Sequence, residues 1–255
     1  MLKDKVVIIT GASKGLGLST GKIFLREGAK VVVIARDKDL LEKSWHGVSN
    51  VLTLEGDISS EKTVKDIFEK TLSHYGNIHI LVNNASIPLI KKMTETTLEE
   101  WERLFSVNMT GTFLMSREAV SHMIKNNIKG KIINISSVSG DVGAPLGTAY
   151  SASKAAIIGF SKALSKEVAS SGINVNCICP GAMDTDMFHK DTTGVLAEMF
   201  NADRETLLKK TINAIPLKRL LTPDEVAELI LYLSSEKASG ITGQTVNIDC
   251  GYAIH

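Results

Sequence analysis

Tyr150 and Lys154 stand four residues apart in Tyr150-Ser151-Ala152-Ser153-Lys154, ahead of Ile157, Ile158 and Leu164 in helical spacing. On a helix such a pair shares one face. A phenol with an ordinary pKa of about 10 is a poor acid–base group at neutral pH, and an ammonium beside it favours the phenolate. The pair is therefore predicted to move a proton. Alone, the spacing fits an exposed helix face equally well. Neighbouring residues strengthen it: Asn134-Ile135-Ser136-Ser137 ends an apolar run just upstream, where a serine hydroxyl can hold a carbonyl oxygen. Asn83-Asn84-Ala85 ends another such run, and Asn108 falls within a helical pattern, a place its type disfavours.

A second group lies near the start, in Thr10-Gly11-Ala12-Ser13-Lys14-Gly15-Leu16-Gly17. Glycines let backbone N–H groups approach a phosphate, and the start of the following helix favours negative charge. The spacing is G-x-x-x-G-x-G rather than G-x-G-x-x-G, and its position after the first apolar run points to a dinucleotide. Gly11, Ser13, Lys14, Gly15, Leu16 and Gly17 are the candidate contacts. The next apolar run ends Ile34-Ala35-Arg36-Asp37. A cation there accommodates a ribose 2′-phosphate and an acid binds a free 2′-OH. Arg36, joined by Lys14, favours NADP(H); Asp37 keeps NAD(H) as the rival, since a shift of one residue puts a carboxylate at the strand end.

The elements that must position these groups follow from the apolar runs at 6–10, 31–35, 51–54, 78–82, 132–135, 173–178 and 246–248. They are continuously apolar rather than alternating, which suits strands covered on both faces. Helical patterns lie between them, as over 61–74 with Val64, Ile67, Phe68 and Leu72 on one stripe, and over 222–233 behind Thr222-Pro223-Asp224-Glu225. The expectation is α/β: a single doubly wound (Rossmann) domain over 1–255, with about seven parallel strands and helices on both faces. Its ligand crevice lies beyond the carboxyl ends of the strands. From about 183 to 221 the strand rhythm lapses, leaving two short helical patterns, and this stretch is read as a substrate loop. Met183, Met187, Phe188, Leu196 and Phe200 are its candidate pocket wall.

Composition narrows the class. A formal net charge of +1 with scattered Lys and Arg gives no footprint for nucleic acid or an anionic membrane, and no apolar run approaches a bilayer span. Three cysteines, Cys177, Cys179 and Cys250, fit neither a disulfide framework nor a four-ligand metal site; Cys177 and Cys179 are read as core packing. The histidines lack paired ligand spacing, so no metal is expected. The expected setting is cytoplasmic, without a signal segment.

Taken together, TGASKGLG at 10–17, NNA at 83–85, YSASK at 150–154 and PG at 180–181 resemble the short-chain dehydrogenase/reductase family along the whole chain. That resemblance implies a catalytic tetrad of Asn108, Ser137, Tyr150 and Lys154, with Ser137 chosen over Ser136 because it stands thirteen residues before the tyrosine. It further implies that Asp57 and Ile58 bound the adenine site, that Asn84 and Ala85 line the cofactor cleft, and that Pro180, Gly181 and Thr185 lie at the nicotinamide end. Tyr150 would supply the proton, Ser137 would hold the carbonyl oxygen, Lys154 would bind the ribose and bias the phenol, and Asn108 would position a water. Asn83-Asn84-Ala85-Ser86 and Asp249-Cys250-Gly251 depart from the family's usual NNAG and DGG.

The implied activity is NADPH-dependent reduction of a small diffusible ketone, or oxidation of the corresponding secondary alcohol, by a homotetramer with contacts through helices beginning near Leu98 and Tyr150. The alternative is a 3-oxoacyl-carrier-protein reductase with acyl carrier protein as partner. It is suggested by Asp184 to Met187 and Ile215 to Leu217, and opposed by Ile128, Lys129 and Ser171 where docking cations are usual. A non-catalytic NADP-binding regulator is the remaining alternative; the filled tetrad opposes it.

Overall fold

The computed structural model describes residues 1–253. Seven strands, β1 (Val6–Thr10), β2 (Lys30–Ala35), β3 (Val51–Glu55), β4 (Ile80–Asn83), β5 (Lys131–Ile135), β6 (Asn174–Pro180) and β7 (Thr245–Ile248), form one sheet in the order β3-β2-β1-β4-β5-β6-β7. Every pairing is parallel. The order reverses between β1 and β4, which opens a crevice at their carboxyl ends, where the glycine loop and Asn83-Asn84-Ala85 emerge.

Among the described residues there are ten α-helices, the longer ones packed on the two faces: α1 (Gly15–Arg26), α2 (Lys38–Trp45), α3 (Glu61–Tyr75), α4 (Leu98–Phe105), α5 (Gly111–Lys125), α6 (Ser139–Val142), α7 (Thr148–Val168), α8 (Val195–Met199), α9 (Arg204–Ala214) and α10 (Pro223–Ser234). Alternate residues of each strand go to opposite cores. Val7, Ile9, Val31 and Val33 join Phe24 of α1, Trp45 of α2 and Ile230 of α10. Val6, Ile8, Val32 and Ile34 join Phe68 of α3 and Met115 of α5. Two buried faces need apolar side chains at every position, which is why the strands read as unbroken runs.

Local signals fix the helix starts. Thr222 caps α10 with a reciprocal bond to Glu225 and proline at the first turn, Thr97 and Glu100 do the same for α4, and Ser60 caps α3. Most strand edges fall within one residue of expectation, and two move by two residues. β4 starts at Ile80, because the backbone N–H of Ile78 donates to His122 Nε2 instead of a ladder partner. β6 runs on through Pro180, which has no N–H but offers its carbonyl to Val138.

The irregular stretch is an excursion tied at its base, where Met183 bridges Leu221 and Asp184 N–H donates to the Leu221 carbonyl. It holds a π-helical segment over Met187–Gly194 followed by α8 and α9, so no strand interrupts 184–220. Among the described residues no helix is long and apolar enough to cross a membrane, and no cluster of His, Cys, Asp or Glu could hold a metal.

Candidate active site

One cavity of about 1230 Å³ runs along the carboxyl ends of the strands from the glycine loop to Tyr150. Gly11, Ser13, Lys14, Gly15, Leu16, Arg36, Asp57, Ile58, Asn84, Ala85, Ser137, Tyr150, Lys154, Pro180, Gly181 and Thr185 all line it. Of the expected site residues, Gly17 and Asn108 do not.

The glycine loop is shaped by close contacts. Gly11 has a φ of 68°, and a β-carbon on Gly17 would collide with the Gly11 carbonyl oxygen. Gly17 thus lets α1 close on the loop. Asn84 Nδ2 donates to the carbonyls of Thr10 (2.9 Å) and Gly11 (3.1 Å), and Trp45 Nε1 donates to Ala12 (2.9 Å). Asn84 therefore lines the cleft and also pins the loop. The start of α1 has no side-chain cap and no acidic residue in its first turn. Unsatisfied N–H groups facing a cavity beside Lys14 suit an anion. This donor set fits a dinucleotide pyrophosphate.

Arg36 is exposed at the cavity edge next to Asp37, whose Oδ1 accepts from Leu40 N–H at 2.9 Å and caps α2. The carboxylate that kept NAD(H) in play thus has a structural task. Farther along, burial raises the Asp57 carboxyl, but bonds from Ser59 and Arg103 outweigh it and hold the pKa at about 2. Asp57 is ionised where it lines the cleft.

At the other end, the phenol of Tyr150 is hydrogen-bonded to Ser137, and Ser137 Oγ accepts from Ser139 N–H at 3.1 Å. Burial pushes the Tyr150 phenol up to about 12, with the Ser137 bond acting in the opposite sense. Lys154 is 2% exposed, and burial brings its ammonium down to about 8. Its Nζ donates to the Ile135 carbonyl at 3.0 Å and stands 5.6 Å from the centre of the Tyr150 ring. The phenol is thus not shifted toward neutrality in the protein alone, contrary to the sequence expectation: burial dominates, and the ammonium is turned to a backbone carbonyl.

Asn108 occupies a π-helical turn, Ser106–Thr110, between α4 and α5. Such turns often mark functional positions. Its side chain accepts from Ile87 N–H (2.9 Å) and donates to the Ile87 carbonyl (3.0 Å) and Ser153 Oγ (3.1 Å). Ser153 Oγ in turn donates to the Tyr150 carbonyl. Asn108 is therefore a positioning residue that ties the segment after β4 to the first turns of α7. Both amide hydrogens are engaged by protein, while the amide oxygen accepts a single bond. Behind the site, Asn83 donates to Ser116 and Asn134, and Asn134 donates to Ser161, a buried chain bracing the ends of β4 and β5 against α5 and α7.

The substrate-side residues are partly new. Met183, Met187, Phe188 and Leu196 line the cavity as expected, while Phe200 is 61% exposed and outside the lining. Ile87, Pro145, Ile215 and Tyr252 also line it. Ile87 carried a sequence signal, since it lies three residues beyond the Asn83-Asn84 pair; Tyr252 carried none. Cys177 and Cys179 are buried with Ile157, as core packing requires. Cys250, the departure from the usual glycine, takes a left-handed φ of 57° in a turn where Asp249 accepts from Gly251 and Ala253.

A family model described as short chain dehydrogenase matches residues 5–195. Among curated proteins, the chain is 37% identical over 257 residues to a 3-oxoacyl-(acyl-carrier-protein) reductase of Thermotoga maritima, covering 99% of each chain. It is 35% identical over 260 residues to glucose 1-dehydrogenase 2 of Bacillus subtilis, covering 100% of this chain and 96% of the other. Among solved structures, a 3-ketoacyl-(acyl-carrier-protein) reductase of Brucella melitensis complexed with NADH superposes with a TM-score of 0.91 at 33% identity, covering 100% of both chains.

Proposed function

The chain belongs to the short chain dehydrogenase family and is an oxidoreductase with a nucleotide cofactor site, and from that premise we propose that it reduces a ketone to a secondary alcohol with NADPH. One observation carries this reading: a protonated phenol with its pKa at about 12, bonded to Ser137, faces a cavity that also contains an uncapped helix start with Lys14 and Arg36. The dinucleotide would be held by the glycine loop, by Lys14 and Arg36 at the 2′-phosphate, by Asp57 and Ile58 near the adenine, by Asn84 and Ala85 along the cleft, and by Pro180, Gly181 and Thr185 at the nicotinamide end. When bound, it supplies a hydride.

The chain's own residues do the rest. Ser137 donates a hydrogen bond to the carbonyl oxygen and fixes its position beside Tyr150. Tyr150 gives its proton to that oxygen as negative charge develops there. Lys154 presents a cation behind the phenol, which lowers the cost of the phenolate left after transfer, and the ribose hydroxyls lie within its task. Asn108 holds the Ile87 segment against α7, so that carbonyl and phenol meet in one geometry. A phenol held in its acid form favours the reductive direction. The cysteines are free, which fits a cytosolic setting, and a homotetramer is the proposed assembly.

The named relatives favour a second reading over the small-ketone expectation: reduction of a 3-oxoacyl group on acyl carrier protein. Lys129, set against this reading in sequence together with Ile128 and Ser171, is exposed beside Gly172, whose added β-carbon would lie 3.0 Å from Lys129 Cγ, and so offers one cation in the region where the docking pair is usual. The experiment measures NADPH and NADH oxidation against acetoacetyl thioesters, free and carrier-bound, diketones and keto sugars. NADPH-dependent turnover of ketones is expected. A carrier-bound thioester at least ten times better than its free analogue would establish the second reading, and inertness with every carbonyl would end the first.

A further inference from the structure

The 1230 Å³ cavity divides by chemistry. Four of its charged side chains gather at the glycine-loop end. Lys14, Arg36, Asp37 and Asp57 belong there by position in the fold. Asp184 and Asp186 flank Thr185, whose Cγ2 lies 3.6 Å from where a β-carbon on Gly15 would stand, and Lys14 acts on the Asp186 carboxylate. Both acids are also paired, Asp184 with His189 at 2.6 Å and Asp186 with Lys190 at 3.1 Å.

The Tyr150 end is built differently. Asn108 holds Ile87 next to α7, and Lys91 N–H donates to the Leu146 carbonyl, so the segments 87–91 and 144–147 form adjoining walls beside the phenol. Ile87, Pro145, Met187, Phe188, Leu196 and Ile215 supply hydrocarbon to the cavity. The two threonines that the excursion adds beyond Phe188 are already engaged: Thr192 Oγ1 donates to the Met187 carbonyl and Thr211 Oγ1 to the Leu207 carbonyl. Ser86, Ser139 and Tyr252 remain as lining hydroxyls outside the catalytic pair and the glycine loop. Lys154, the cation at this end, is buried and bonded to Ile135.

We infer that the substrate is an uncharged ketone carrying a hydrocarbon arm of several carbons, and that the excursion's Met187, Phe188 and Leu196 select it. The inference rests on the ketone-reductase reading. A sugar or polyol would bring a hydroxyl on nearly every carbon against these hydrocarbon walls, and each one stripped of water without a partner costs about ten-fold in affinity. A hydrocarbon arm gains about four-fold per buried methylene.

The test is kcat/KM with NADPH for the 2-alkanones from butanone to decan-2-one, together with fructose and acetoacetyl thioester. A rise of about three- to four-fold per methylene, carried mainly by KM, with fructose at least a hundred-fold below the best alkanone, is the expected result. Leu196→Asp should flatten the chain-length dependence and Leu196→Met should retain it, both with unchanged circular dichroism. Fructose turned over as well as the alkanones, or a chain-length dependence untouched in Leu196→Asp, overturns the inference and leaves the reductase reading standing. Inertness toward every compound, the thioester included, removes both.

Discussion

At Tyr150 and Lys154, burial moves both groups in the direction of their neutral forms: the phenol up to about 12 and the ammonium down to about 8. Reduction requires the phenol protonated and the lysine charged, so the productive form is lost as pH rises through the lysine's value. The kcat/KM for the cofactor, which reports the free enzyme, should fall about ten-fold per pH unit above about 8 in the reductive direction. A profile flat up to pH of about 10, the ordinary lysine range, would show that Lys154 is not a required charge. The cofactor preference is also a one-residue matter. Arg36→Asp removes a cation and places an anion at the proposed 2′-phosphate site, so the NADPH-to-NADH preference ratio should fall at least about ten- to a hundred-fold, read from dissociation constants. An unchanged ratio would remove Arg36 from the site.

The elements were legible where physics is local or periodic. Continuous apolar runs exposed all seven strands, because each strand feeds two cores, and Thr222 with Glu225 marked the start of α10. The glycine loop, Ser137, Tyr150 and Lys154 were legible as types at the ends of those runs. Long-range partners were not. Nothing near Asn108 in sequence foretells that its amide will be consumed by Ile87 and Ser153, nor that Lys154 will turn to the Ile135 carbonyl, nor that Phe200 will face solvent while Tyr252 lines the cavity. Such brackets make element-scale predictions. Asn108→Ala strands the half-buried Ile87 amide and carbonyl, so it should cost about 1–2 kcal/mol in urea unfolding and lower kcat more than it raises the KM for NADPH. Gly17→Ala drives a β-carbon into the Gly11 carbonyl, and calorimetry should find NADPH binding weakened at least about ten-fold or the protein unfolded; wild-type affinity would mean that the loop is not built as described.

As a whole, the molecule sets one parallel sheet beneath one long crevice, with cations and an open helix start at one end and a phenol–serine pair walled by hydrocarbon at the other. The proposed homotetramer should appear as four chain masses in light scattering. Leu98, 70% exposed at the start of α4, is placed to be covered in it, so Leu98→Glu should lower the assembly state, and a wild-type monomer at micromolar concentration would refute the proposal. The account centres on Tyr150 as proton donor to a ketone that shares the cavity with NADPH. The most direct test compares Tyr150→Phe with the wild type in steady-state NADPH oxidation with the best ketone, alongside NADPH titration by fluorescence. The account predicts an unchanged NADPH dissociation constant with kcat reduced about 10²- to 10⁴-fold. Turnover within a few-fold of wild type would contradict it.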